Sequence, residues 1–364
     1  MDRGNRNINL DALRVFAILG VITLHLVGGL NTLQLSEANR FVVNLLLAIT
    51  YTSVNIFGLL SGYLKIDRPH HYASIIKIVL ETTFWCFLIT ATCIIFFNVR
   101  SVGDLVKYAF PFLGDRLWYI TCYFFVFLCA PFLNLLANKL SKSDYLKLLV
   151  VLGVLMCLIT TVCFKDFFHV VNNGYSAGWL MYMYLIGGYF KKYGFWKKAS
   201  KGKVFLILCL SVISVIGSKY IIEIMRTKLN IGSERSWQLY YYNSPLTLLN
   251  SVCAFYLFAT GNWKNNGFGK VLTWISTVSL GVYIIHAHPY SLDHVLIGEN
   301  LTWVVNSNPL VTLIILIVSI LGICLFLGVL EWIRMKLFSI CGIDRWIKKV
   351  GKKLDKVLLI EEKA

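Results

Sequence analysis

Long apolar stretches alternate with short polar ones along the chain, and the stretches are longer than a core helix or a buried strand requires. A run of roughly 18 or more such residues covers about 30 Å of hydrocarbon at 1.5 Å per helical residue. About ten runs of this kind follow one another, near residues 10–30, 41–64, 75–97, 117–137, 146–164, 175–190, 203–222, 243–260, 271–290 and 309–333. The sixth, "GWLMYMYLIGGYF", is short for a span and is included because leaving it out breaks the alternation of charge between loops. The pattern predicts an all-α, polytopic membrane protein of about ten transmembrane helices.

Composition agrees with that reading. Of 364 residues, 57% are hydrophobic and 15% charged, with mean hydropathy +0.69, far more apolar than a soluble domain of this length needs. A net charge of +17 would suit a nucleic-acid binder, but the placement of Lys and Arg argues against one. They gather in alternate connections: Arg3 and Arg6, the 65–77 segment, Lys139 to Lys147, Lys191 to Lys203, Lys264 with Lys270, and the chain from Arg334 onward. The intervening loops are poorer in them, so the positive-inside rule predicts cytoplasmic termini, an even number of spans and a multi-pass protein of the cell membrane. The first apolar run lacks a small-residue cleavage site and is expected to remain as a span. The ten cysteines fall mostly inside the apolar runs without metal spacing and read as small packing residues. We expect two parts: a membrane domain over 1–340 and a basic amphipathic cytoplasmic tail over 341–364. In the tail, Trp346, Ile347, Val350, Leu354, Val357 and Leu358 share one helical face among lysines, as in an interfacial helix on an anionic leaflet.

Beyond Asp11 at its start, the first run holds two ionisable side chains, Arg14 and His25. Eleven residues at 100° each return to within about 20° of the same face, three turns and roughly 16 Å further along, so both point into one groove. Intramembrane charge costs about 2.5–3.5 kcal/mol on insertion scales and usually faces a bundle interior or a wet cavity. A snorkelling Arg14 beside Asp11 and a His25 in one interhelical hydrogen bond would also satisfy the pair. Glu81 is the one isolated acid within a span, and neither histidine has an evident carboxylate partner. His70 and His71 read as solvated loop residues, while His288 and His294 are left out of any chemistry.

Four motifs carry a resemblance. They are "LDALR" with its Arg14-to-His25 spacing; "VNIFGLLSGYL" with Ser61, Gly62 and Tyr63; "RLWYITCYFFVFLCAPFLN" with Leu117, Trp118, Tyr119 and Pro131; and "STVSLGVYIIHAHPY" with Ser279, Gly281, Tyr283 and His286. In this order they resemble the acyltransferase-3 family of integral membrane O-acyltransferases, which modify surface polysaccharides and related acceptors. The resemblance implies acyl, most simply acetyl, transfer from coenzyme A to a hydroxyl of an extracytoplasmic or lipid-linked polysaccharide, as in exopolysaccharide O-acetylation. It implies no metal and no nucleic acid; membrane lipids are the other expected partners. We expect a unit without the fused extracytoplasmic domain of some members.

Topology adds a chemical argument. The ninth helix runs in the same direction as the first, so His286 reaches the depth of His25 and the two imidazoles can meet. Acyl transfer to a hydroxyl needs a base with pKa near ambient pH, and histidine fits. The candidate catalytic residues are therefore His25 and His286. Arg14, Ser61, Gly62 and Tyr63 are the candidate donor residues, the arginine for a phosphate and the glycine for close backbone approach. Trp118 and Tyr119, with Trp237 and Tyr241 of "SERSWQLYYYN", are candidate sugar-stacking residues, and an interfacial aromatic belt accounts for them equally well. A secondary transporter or flippase, with paired interrupted helices near Gly187 and Pro245, is the alternative function. A membrane sensor or scaffold would have no use for the two histidines.

Overall fold

A computed structural model of the chain describes residues 6–28, 30, 35–97, 103, 117–194, 199–229, 233–291 and 307–358. Every predicted run is helical. The elements are α1 (Ile8–Gly28), α2 (Glu37–Thr50), α3 (Thr52–Lys65), α4 (Ala73–Phe97), α5 (Trp118–Lys139), α6 (Lys142–Gly153), α7 (Ala177–Tyr193), α8 (Lys201–Leu229), α9 (Pro245–Ala259), α10 (Gly267–Ala287), α11 (Pro309–Ile340) and α12 (Ile343–Leu358). Their starts carry side-chain caps. Ser36, Ser141, Ser176, Ser244 and Asn266 each accept a hydrogen bond from the backbone N–H three residues on, and Asn308 from Leu310 N. Pro245 and Pro309 stand at helix starts, where no amide is missed. Gly194 ends α7 with φ 53°, the left-handed conformation that suits glycine.

Among the described residues, eight helical stretches are long and apolar enough to cross a membrane, α2 and α3 counting as one of 29 residues. That second span breaks at Tyr51, where the Thr50 and Thr52 hydroxyls donate to the carbonyls of Leu46 and Ile49. The fifth span also departs from a plain helix, passing from α6 through a π-helical turn at Val154–Ile159 to Thr160–Val162. The sixth and eighth predicted spans are α7 and α9, of 17 and 15 residues. Both sit deep in the bundle, and helices enclosed by protein do not have to match the hydrocarbon thickness by themselves.

Small residues set the tightest contact, between α3 and α7. A β-carbon on Gly62 would come within 1.8 Å of the Tyr184 carbonyl oxygen, and one on Gly187 within 2.1 Å of that of Leu59. Gly58 and Gly62, four apart on α3, thus form the small-residue stripe by which membrane helices approach backbone to backbone. The close approach expected of Gly62 is real, but it is made to α7. Asn55 locks the same pair, accepting from Trp179 Nε1 at 2.8 Å and donating to Tyr242 O at 2.8 Å.

The alternately charged connections collect at two ends of the bundle. At the basic end Asn134 donates to Lys65 O, Lys192 to Ala137 O, Tyr256 to Ala199 O, and Asn9 to Ala259 O. At the far end Lys219 donates to Asn44 and Asn39 to Ser307 O. The last span is longer than its hydropathy suggested, because α11 continues to Ile340 and encloses Glu331 and Arg334. Arg334, grouped by sequence with the cytoplasmic tail, is 2% exposed.

At the basic end, His70 is not solvated. It packs at 4.8 Å from the Tyr72 ring and 4.6 Å from Phe127, with Nε2 buried and unpartnered among the described residues. Its neighbour His71 is exposed and faces Asp355 at 3.2 Å. Burial, helped by the nearby Lys65 charge and opposed by Asp355, lowers the His70 pKa from 6.5 to about 4. The folded state therefore resists a proton that the unfolded chain accepts, and stability from this site is complete above pH 6.5 and lost as pH falls toward 4. We expect the thermal midpoint in detergent to drop between pH 7 and 5, and to drop less in His70→Gln. Equal drops in the two proteins would remove His70 from the acid response.

Candidate functional site

The helices α1 and α10 lie side by side and run in the same direction, with contacts in register along their length. Near their starts, Asp11 is buried and accepts from Arg6 at 2.7 Å, Ser276 at 2.7 Å and Thr273 at 3.2 Å. One turn on, Arg14 Nη1 donates to Ser276 Oγ at 3.0 Å and stands 3.8 Å from Asp11. Near their ends the rings of His25 and His286 meet, centroids 5.0 Å apart and planes at 47°. The parallel pair thus sets the arginine and the histidine pair on one line.

A cavity of about 300 Å³ runs along that line, lined by both Arg14 and His25. Since these are about 16 Å apart along α1, it reaches from the basic end deep toward the far end. Its basic-end wall carries Lys65, Lys77, Glu81 and Glu331, its middle Ser61, Tyr123 and Ser279, and its far end Trp118, Tyr119, Tyr242 and Tyr283. Lys65, nominally a loop lysine, folds over the Phe127 ring at 4.0 Å.

The histidines differ in their bonding. His286 Nδ1 lies 2.6 Å from Val282 O, a carbonyl that can only accept, so this nitrogen carries the proton. Nε2 of the neutral ring is then the lone-pair nitrogen, and it is buried without a partner among the described residues, as is Nδ1 of His25. Among these residues no carboxylate bonds either ring. His288 ends α10 in extended backbone, 3.4 Å from Thr90 Oγ1, outside the cavity.

The sequence-predicted residues divide cleanly by position. Arg14, His25, Ser61, Trp118 and Tyr119 line the cavity, and His286 packs behind His25 and Tyr283, the latter at 5.8 Å. Gly62 is turned to α7. Tyr63 packs on Phe255 at 5.4 Å under Lys191, away from the cavity. Trp237 lies under Lys219 Nζ at 3.6 Å, and Tyr241 is likewise absent from the wall. Tyr242, one residue on, takes the place expected of Tyr241, 6.0 Å from the Trp118 ring and 4.7 Å from Tyr175.

Sequence reading missed the ion cluster that gives the cavity wall its two acids, Glu81 and Glu331. Arg334 lies 3.2 Å from Glu81 and bonds Glu331, whose Oε2 also accepts from Trp85 Nε1 at 2.8 Å. All three charged groups are buried. The signal was present as an acid and a base three apart on one helix face, plus an isolated intramembrane acid in need of a partner. Gly281 of the late motif makes the room, since a β-carbon there would fall 2.3 Å from the Glu331 carboxyl. No group of three or more His, Cys, Asp or Glu among the described residues is placed to hold a metal ion.

Fold and site together define an integral membrane protein whose interior joins a cationic end to a buried histidine pair. The chain belongs to the acyltransferase-3 family: the family model, an acyltransferase domain, matches residues 7–328. It is therefore a multi-pass membrane acyltransferase, working with an acyl donor, an acceptor and the surrounding lipid. No curated protein and no solved structure is significantly similar to it.

Proposed function

We propose that the protein moves an acetyl or similar acyl group from coenzyme A to a hydroxyl of an extracytoplasmic or lipid-linked polysaccharide at the cell membrane, with His25 as general base. The observation that carries this reading is the single cavity shared by Arg14 and His25. The basic end is taken as cytosolic by the positive-inside rule, and the thioester enters there because coenzyme A thioesters are made in the cytosol. Arg14 uses one of its five donors on Ser276 and keeps the rest for a phosphate. Lys65 and Lys77 add positive charge at the same mouth, and the Ser61 hydroxyl lies along the path. The aromatic far end, Trp118, Tyr119 and Tyr242, offers ring faces on which a sugar stacks.

The chemistry balances without a cofactor. A neutral His25 takes the acceptor hydroxyl proton as the oxygen attacks the thioester carbonyl, the carbon–sulfur bond breaks, and the imidazolium returns the proton to the departing thiolate. His286 Nε2, kept a lone-pair nitrogen by the Val282 carbonyl, is suited to accept from a protonated His25 and to hold its ring in place. Gly62 acts through the α3–α7 contact that carries Ser61. Trp237 and Tyr241 have no part in this reading.

Donor binding to purified protein in nanodiscs, with radiolabelled acetyl-CoA, tests the cationic mouth. Losing a charge-assisted hydrogen bond costs about 1.5–3 kcal/mol, so Arg14→Ala should bind at least about tenfold more weakly. Arg14→Lys should fall between, because a point charge lacks the planar fork. Wild-type affinity and transfer in Arg14→Ala would overturn the assignment.

A further inference from the structure

The helix α12 follows α11 after a turn at Cys341–Gly342, where Gly342 has φ 75°. It lies against the start of α4. Ile347 and Gly351 are buried; a β-carbon on Gly351 would fall 2.6 Å from Ala73 Cα, and Leu354 packs into the Tyr72, Ile75 and Phe127 cluster. The middle of the apolar edge that sequence alone assigned to lipid, Ile347 to Leu354, is thus spent on protein, while Trp346, Val357 and Leu358 stay exposed. Asp355 fastens the contact, accepting from Tyr72 N at 2.8 Å and facing His71 at 3.2 Å.

The opposite face is a different surface. Taking Ile347 as zero at 100° per residue, Lys348, Lys349, Lys352, Lys353 and Lys356 fall within an arc of about 140° centred opposite the buried edge. All five are exposed, and none forms an ion pair with an acid among the described residues. Exposed Trp346 and Val357 border the arc on one side. A cluster of this size, one short turn from a membrane-crossing helix, is suited to negative lipid headgroups, which attract juxtamembrane lysines within a Debye length.

The buried edge of α12 touches the cavity mouth. The clasped residues 71–73 lead directly into Ser74 and Lys77, which line the cavity, as does Phe127. We propose that α12 is a strap that binds anionic phospholipid headgroups through its five-lysine face and, through Asp355, transmits that binding to the segment forming the basic mouth of the cavity. The proposal requires only that this end of the bundle meets a leaflet surface, and it stands whatever the cavity holds.

Hydrogen–deuterium exchange on the full-length protein in nanodiscs tests it without an activity assay. In a phosphatidylcholine and phosphatidylglycerol mixture, amides of 343–358 and 71–76 should exchange about tenfold slower or more than in phosphatidylcholine alone, given the attraction of several lysines at once. The variant with all five lysines changed to Gln should exchange equally in both membranes. Asp355→Ala, which removes the acceptor for Tyr72 N, should keep the lipid effect on 343–358 and lose it on 71–76. Identical wild-type rates in the two membranes, or an undiminished lipid effect in the five-Gln variant, overturns the headgroup site. A lipid effect on 71–76 that survives Asp355→Ala overturns the coupling.

Discussion

Replacing His25 by glutamine is expected to leave the protein folded and the acceptor essentially without its acyl group. His25 lines the cavity, its ring is 5.0 Å from that of His286, and its Nδ1 has no partner among the described residues, so no hydrogen bond among those residues depends on that nitrogen. Removing a general base typically lowers the rate by about 10² to 10⁴. Loss of one interhelical hydrogen bond in a membrane protein costs only about 0.6 kcal/mol on average. Glutamine keeps polarity and size but takes no proton near neutral pH. Transfer measured with His25→Gln and His25→Ala, alongside monodispersity and thermal stability in detergent, separates the readings. A glutamine variant that works at more than about a tenth of the wild-type rate would make His25 a packing residue. Acetyl-CoA binding should survive in His25→Gln, which distinguishes loss of chemistry from loss of the donor site at Arg14.

The second large effect is expected on stability. Arg334→Met removes the cation between Glu81 and Glu331, which are 3% and 1% exposed. Breaking a buried ion pair from one side costs about 3–5 kcal/mol, because the remaining charge is left uncompensated. The single variant should therefore unfold at markedly lower temperature in detergent and yield little monodisperse protein. Changing the acids as well, in Glu81→Gln with Arg334→Met and Glu331→Gln, should recover part of the loss, since replacing a whole buried ionic group by neutral side chains is far less costly than stripping one member. Wild-type stability in Arg334→Met would show that the cluster does not bear on the fold. Both measurements concern the same cavity, but they read different properties: chemistry toward the far end and structural integrity in the basic-end wall.

Much of the architecture was legible because a bilayer leaves a chain few choices. The ten apolar runs and the charged connections each follow from local chemistry, and α1 to α11 occupy the stretches they mark. The 3.6-residue period placed Arg14 and His25 on one face, and both line the cavity. Four motif matches pointed to the family that the model over residues 7–328 shows. What failed to come through was whatever depended on which helix stands next. Tyr242 instead of Tyr241 lines the wall, and a one-residue step on an irregular connection has no period to reveal it. His70, in a polar loop, is buried because Tyr72 and Phe127 pack over its ring.

The sequence by itself determined that this protein is an all-helical one that crosses a membrane many times, where its apolar helices run, that Arg14 and His25 share a helix face, and the family to which the pattern belongs. These are properties of single segments and of order along the chain, set by hydrophobic length, helical period and charge. Only the tertiary structure decided that Gly62 serves the contact with α7, that Glu81 finds Arg334 and Glu331 across α4 and α11, and that His286 stands against His25 with its Nδ1 spent on Val282. It also turned the apolar edge of α12 onto α4 and left its lysines outward. The physical reason is the same in each case. A buried charge, an orphaned ring nitrogen or a missing β-carbon is satisfied by a neighbour far away in the chain, and helix packing alone chooses that neighbour.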